Sequence, residues 1–268
     1  MPAMFVGHGS PMNAIEYNEF SRAWDERGRR IREHARPRAI VAVSAHWFTE
    51  GLRVSDAPEN RHIDDMYGFP PQLYEVRYAP SGDPALARRV AELVNSSPAS
   101  AAGEAGFDRS WGIDHGVWAP LVHLVPEGDI PVVMVSVDAR RSLRQLFDVG
   151  RALAPLRREG VLVVGSGNVV HNLRLLDPSR EHDGSPWAVD FDRFVADAVR
   201  EGRFGDVVDG APKHAAYARA VPWADHFGPL AVVLGAVSAD EPVEVWSQAY
   251  QMGSLSMTSF SFGEGASA

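Results

Sequence analysis

No cysteine occurs anywhere in the 268 residues. That absence removes a thiol nucleophile, a zinc ribbon and an iron–sulfur cluster together, and it fits a reducing compartment. No apolar run approaches the roughly 20 residues of a membrane span. Positive charge is in deficit: 26 Lys and Arg against 35 Asp and Glu give a formal net charge of −9. A nucleic-acid or anionic-membrane partner needs a basic face, so neither is expected. Residues 1–6 place no positive charge ahead of their short apolar stretch, unlike a secretory signal. A cytoplasmic location is the expectation.

Two nucleotide and hydrolase signatures are also missing. Gly165-Ser166-Gly167-Asn168 lacks the lysine of a phosphate-binding loop and the third glycine of a dinucleotide fingerprint. There is no Gly-x-Ser-x-Gly elbow, and Ser10, only two positions from His8, is badly placed to be activated by it.

What is present alternates. Short apolar runs at residues 3–6, 39–45, 131–137 and 161–164 read as strands, the second apolar enough to be buried on both faces. Residues 243–246 and 255–262 read as antiparallel strands near a sheet edge. Helices fall between: residues 18–34, a helix opened by Asp83-Pro84, residues 143–157 with Pro155 expected to distort or end it, a helix opened by Ser185-Pro186, and residues 226–235. This order predicts one α/β domain over residues 1–268, three layers deep, with a mostly parallel or mixed sheet and helices on both faces. In such sheets ligands bind beyond the carboxyl ends of the strands.

Histidines stand at those ends. His8 follows the first strand, His46 the second, and His171 lies just past residues 161–164. His115, in Asp114-His115-Gly116, and His226, ahead of an apolar stretch, are further candidates. Neutral imidazole is a good ligand for iron, zinc and copper, and with no cysteine a transition-metal site must be built from histidines and carboxylates. A lone histidine at a strand end is more often a hydrogen-bonded rim residue; three in Gly-flanked turns bring the metal reading level. His34, His62, His123, His182 and His214 have weaker contexts.

Six segments then occur in order: Gly7-His8-Gly9-Ser10-Pro11-Met12, Ser44-Ala45-His46-Trp47, Tyr67-Gly68-Phe69-Pro70, Asp114-His115-Gly116-Val117-Trp118, Gly167-Asn168-Val169-Val170-His171-Asn172 and Met252-Gly253-Ser254-Leu255-Ser256-Met257. Over nearly the whole chain they resemble the class III extradiol ring-cleaving dioxygenases, in the DOPA 4,5-dioxygenase branch. The resemblance implies a single α/β domain, a mononuclear non-haem Fe(II) site, and insertion of both atoms of O2 into a catechol to give a muconic semialdehyde. It implies that His8, His46 and His226 are metal ligands, that His171 is a fourth ligand or an acid/base group, and that His115 is catalytic beside the metal.

The usual iron triad has two histidines and a carboxylate. The all-imidazole set implied here also suits Zn(II), which the same site is expected to accept. Trp47, Tyr67, Phe69 and Trp118 are candidate walls for the substrate ring, each equally at home in a core. Asp114 is a candidate to orient His115, or to cap a turn. Met66 stands where the family pattern has an aromatic. The competing readings are a peptide-binding scaffold without catalysis and a zinc-dependent hydrolase. The sequence names no oligomeric state.

Overall fold

The computed structural model of the chain describes residues 1–34 and 36–263. Its strands, in chain order, are β1 (Ala3–Gly7), β2 (Ala39–Thr49), β3 (Arg53–Ser55), β4 (Gly106–Asp108), β5 (Val132–Asp138), β6 (Val161–Gly167), β7 (Val243–Trp246), β8 (Tyr250–Gln251), β9 (Leu255–Ser256) and β10 (Ser259–Phe262). The helices are α1 (Glu19–His34), α2 (Pro84–Asn95), α3 (His115–Leu124), α4 (Leu143–Arg158), α5 (Pro186–Arg200), α6 (Tyr217–Ala220) and α7 (Gly228–Gly235).

Eight strands form one sheet in the order β4-β3-β5-β2-β6-β1-β10-β7, and β8 and β9 pair separately. The central four, β5, β2, β6 and β1, run parallel. β10 and β7 add on antiparallel at one side, and β3 runs antiparallel to β5 at the other. The sheet is therefore mixed around a parallel centre.

The apolar runs are continuous because both faces are covered. Along β1, Ala3 and Phe5 enter one core while Met4 and Val6 enter the other. The same period of two sends Val41 and Val43 one way and Ile40 and Ala42 the other. α2, α4, α5 and α7 pack on the first face, α1 and α3 on the second. This is the three-layer arrangement expected from the alternation.

Three expectations need correction. The strand expected at 255–262 is two strands, β9 and β10, in different sheets. Ser256 Oγ and Thr258 Oγ1 both donate to the buried carboxylate of Asp192 on α5, which draws the chain out of a continuous ladder. Pro155 does not end α4, which runs on to Arg158. The proline withholds one backbone donor from the carbonyl four residues earlier, yet only one turn of helix follows it, so that loss does not stop the helix short. α7 begins at Gly228, so His226 sits in the turn before it. Arg53–Ser55 and Gly106–Asp108 were not anticipated; at three residues each they carry no readable periodicity.

Candidate metal centre

The carboxyl ends of β1, β6 and β2, neighbours in the sheet, deliver the histidines to one place. His8 directly follows β1, and its backbone N–H donates to Gly167 O at the end of β6. His46 lies where β2 slips register against β5: Ser44 faces Ser136, yet Phe48 faces Val137, so β2 carries extra residues there. Such a bulge re-aims a side chain that a regular strand would have pointed elsewhere. His226 is held from below, its carbonyl accepting from Asn168 N at 3.0 Å.

The result is a cluster. Ligand nitrogens of His8, His46 and His226 all lie within 4.8 Å of one another. His46 Nε2 is 3.2 Å from His8 Nε2. His171 stacks face to face on His226, centroids 3.4 Å apart and 4° between planes. His115 packs edge-on against His46 at 4.0 Å. All five candidate histidines are thus brought together. His62 instead lies against Trp118 and contacts Asp64, and His123 bridges Asp25 and the Asn13 carbonyl. His182 lies near Glu181 on the surface, and His214 accepts from the Ala216 N–H.

Hydrogen bonding fixes the ring states. Ser166 Oγ gives its proton to the Gly116 carbonyl, so it must accept from His8 Nδ1, 2.9 Å away. That leaves a lone pair on His8 Nε2. His46 Nδ1 lies 2.9 Å from Asp65 Oδ2, so in the neutral ring Nε2 also presents a lone pair. At 3.2 Å the two nitrogens need a shared proton or a metal cation between them. Both ring nitrogens of buried His226 lack a hydrogen-bond partner. Asp225 Oδ1 comes within 3.1 Å of its Nδ1 but accepts from the His226 backbone N–H instead. Unpaired buried nitrogens are costly, and a metal ion satisfies all three rings at once. The donor set therefore fits a divalent transition metal.

Electrostatics keep these rings neutral. Burial drives the pKa values of His8 and His226 far down, and the neighbouring imidazoles push the same way. Burial lowers His115 as well, the charge of His46 adding to it, and takes His171 down to about 4. His46 is the exception: burial lowers its pKa, but the Asp65 contact and the charges of Asp114, Asp65 and Asp225 together carry it above the ordinary value.

Asp65 was absent from the sequence-based candidates. Its Oδ1 accepts from His115 Nδ1 at 2.9 Å and from the His115 backbone N–H at 2.8 Å. Burial works to raise its pKa, but the His115 hydrogen bonds and the close contact with His46 hold the carboxyl well below the usual range. Asp114, the expected partner of His115, instead accepts from Ser44 Oγ at 2.7 Å and Trp111 Nε1 at 2.9 Å. It is the N-cap residue of α3, and its side chain is turned toward β2. Among the aromatic candidates, Trp118 is fully buried and donates to the Ile63 carbonyl, and Trp47 is buried beside Trp111. Both belong to the core. Phe69 is half-buried, and Tyr67 is 90% exposed. Met66 is buried in the α1/α3 core.

Gly116 lets α3 approach the rings. A Cβ there would stand 2.7 Å from His46 Cδ2 and 3.3 Å from His8 Cε1. Gly116→Ala is expected to push both imidazoles aside and weaken Zn(II) binding by about 10–100-fold, the range for disturbed ligand support. Chelator competition measures this, and wild-type affinity would show that the rings yield without cost.

The family model for the catalytic LigB subunit of aromatic ring-opening dioxygenase matches residues 1–263. The chain is 41% identical to a 4,5-DOPA dioxygenase extradiol of Escherichia coli (strain K12), covering 98% of this chain and 95% of that protein. It is 36% identical to the 4,5-DOPA dioxygenase extradiol of Beta vulgaris, covering 96% and 95%. A crystal structure of an uncharacterized protein from Escherichia coli K12 superposes with a TM-score of 0.82 at 37% identity, covering 98% of this chain and all of that one. The chain belongs to the LigB family of aromatic ring-opening dioxygenases. It is an extradiol, metal-dependent enzyme of that family, acting with O2 on an aromatic substrate.

Proposed function

We propose that this LigB-family dioxygenase opens a catechol carrying a DOPA-like side chain, cutting the ring beside its two hydroxyls to give a muconic semialdehyde. The whole of residues 1–268 serves as one catalytic domain. The observation that carries the reading is the convergence of His8, His46 and His226, with facing Nε2 atoms and an unpartnered His226 ring. These three hold Fe(II) in the active form, and the same nitrogens accept Zn(II). His171, stacked on His226, is a fourth ligand or an acid/base group.

Bound Fe(II) would lower the catechol pKa and carry electrons from the ring to O2. The protein's part is proton handling and orientation. His115 enters neutral, its Nδ1 proton held by Asp65, so its Nε2 accepts a proton from a catechol hydroxyl. His171 also enters neutral and accepts a proton before it acts as an acid. Half-buried Phe69 and exposed Tyr67 are the aromatic candidates left to meet the substrate once Trp47 and Trp118 are assigned to the core. An all-imidazole set equally suits a zinc hydrolase; the ring-opening relatives favour dioxygenation.

The test is anaerobic loading with Fe(II), then L-DOPA or catechol with O2 consumption and visible absorbance followed together. One O2 consumed per yellow product formed is the expected result. No O2 consumption with iron bound would reject the proposal for these substrates.

A further inference from the structure

Resting on the metal-site reading above, we infer that Asp65 is a positioning residue for two histidines with different tasks: with one oxygen on each, it fixes the tautomers of both His46 and His115. A single carboxylate thereby sets the metal ligand and the acid–base group together.

The geometry assigns one oxygen to each ring. Asp65 Oδ1 takes both the Nδ1 proton and the backbone N–H of His115, at 2.9 and 2.8 Å. Oδ2 lies 2.9 Å from His46 Nδ1. This second contact is short but not aligned as a full hydrogen bond, and among the described residues no other donor reaches Oδ2. Among the described residues, the His46 N–H is therefore the donor that faces it. The Asp65 side chain is 14% exposed, so water offers little alternative. An imidazole carries one proton when neutral, so a carboxylate on Nδ1 leaves the Nε2 lone pair to face the cluster. His46 needs that lone pair to bind metal, and His115 needs it to take a proton.

His46, Asp65 and His115 also form a second group of potential ligands. A second ion there fits poorly. The nitrogen–oxygen separations of 2.9 Å are hydrogen-bond lengths, and an ion would have to displace the protons that now occupy them. One metal per chain is therefore expected.

Asp65→Asn separates the roles. The amide keeps one acceptor oxygen, which the two His115 donors will claim. Its NH2 then faces His46 Nδ1, which must accept. That moves the His46 proton to Nε2 and blocks the ligand position. Zn(II) affinity of Asp65→Asn, measured by chelator competition without any substrate, should fall about 10–100-fold. The loss should persist when His115 is already alanine, because it acts through His46. Turnover at saturating Fe(II) should also fall, in kcat rather than KM, and Asp65→Asn should add little to His115→Ala.

Wild-type Zn(II) affinity in Asp65→Asn would overturn the inference, as would two metals bound per wild-type chain. Should the variant fail to fold, nitrogen-15 imidazole spectra of the Zn(II)-loaded wild type decide. Nδ1-protonated rings at both His46 and His115 are expected, and an Nε2-protonated ring at either overturns it. A wild type that binds Zn(II) but never consumes O2 would sink the dioxygenase proposal and leave these metal-binding results standing.

Discussion

His46→Ala is expected to leave a folded protein that retains no iron through desalting and opens no catechol. The ring contributes one of three converging imidazoles, its Nε2 3.2 Å from that of His8. Removing it leaves two ligands and an opening that water fills. It also leaves Asp65 Oδ2 buried without a donor, a further cost of about 1–3 kcal/mol for an unsatisfied group, and more when it is charged. His62→Ala is the matched control. That ring packs on Trp118 and contacts Asp64, outside the cluster, so its removal should leave the metal in place. Metal content by mass spectrometry and O2 consumption with L-DOPA read both effects. Full iron and full activity in His46→Ala would remove it from the ligand set.

His115→Ala should give the opposite pattern, with metal retained and turnover slowed. His115 lies against His46 at 4.0 Å, but its Nδ1 is committed to Asp65, and it is not one of the three converging rings. Loss of a positioned general base typically costs about 10²–10⁴-fold. The deficit should fall on kcat, because the catechol is held chiefly by the metal. Loss of iron in this variant would make His115 a ligand; unchanged kcat would remove it from proton transfer.

Much of this architecture was legible from residue patterns. The four parallel strands announced themselves as apolar runs because each buries both faces, and Asp83 caps its helix with its side chain as expected, whereas Ser185 opens α5 without a side-chain cap bond. The histidines were legible for a topological reason: residues just past parallel strands must share a rim. Asp65 was not, because it sits in an aperiodic stretch between β3 and α2, and only the folded chain brings it to His115, fifty positions on. The pair Asp64-Asp65 immediately before Met66-Tyr67-Gly68-Phe69-Pro70 was the available signal. Trp47 and Trp118 misled in the other direction. Each neighbours a site histidine in sequence or on the helix, yet packs into the layer beneath.

The sheet ends in short strands, with β4 only three residues long and β7 four. On β7, Glu244 is tied to Arg27 and Arg30 of α1. An open strand edge is a template on which another backbone can polymerise, and brief, charged edges are how folded proteins deny it. Strand-to-strand aggregation therefore finds little purchase at either margin of this sheet. The histidine rim's parent strands, at the centre of the sheet, are shielded from such pairing by the strands on either side.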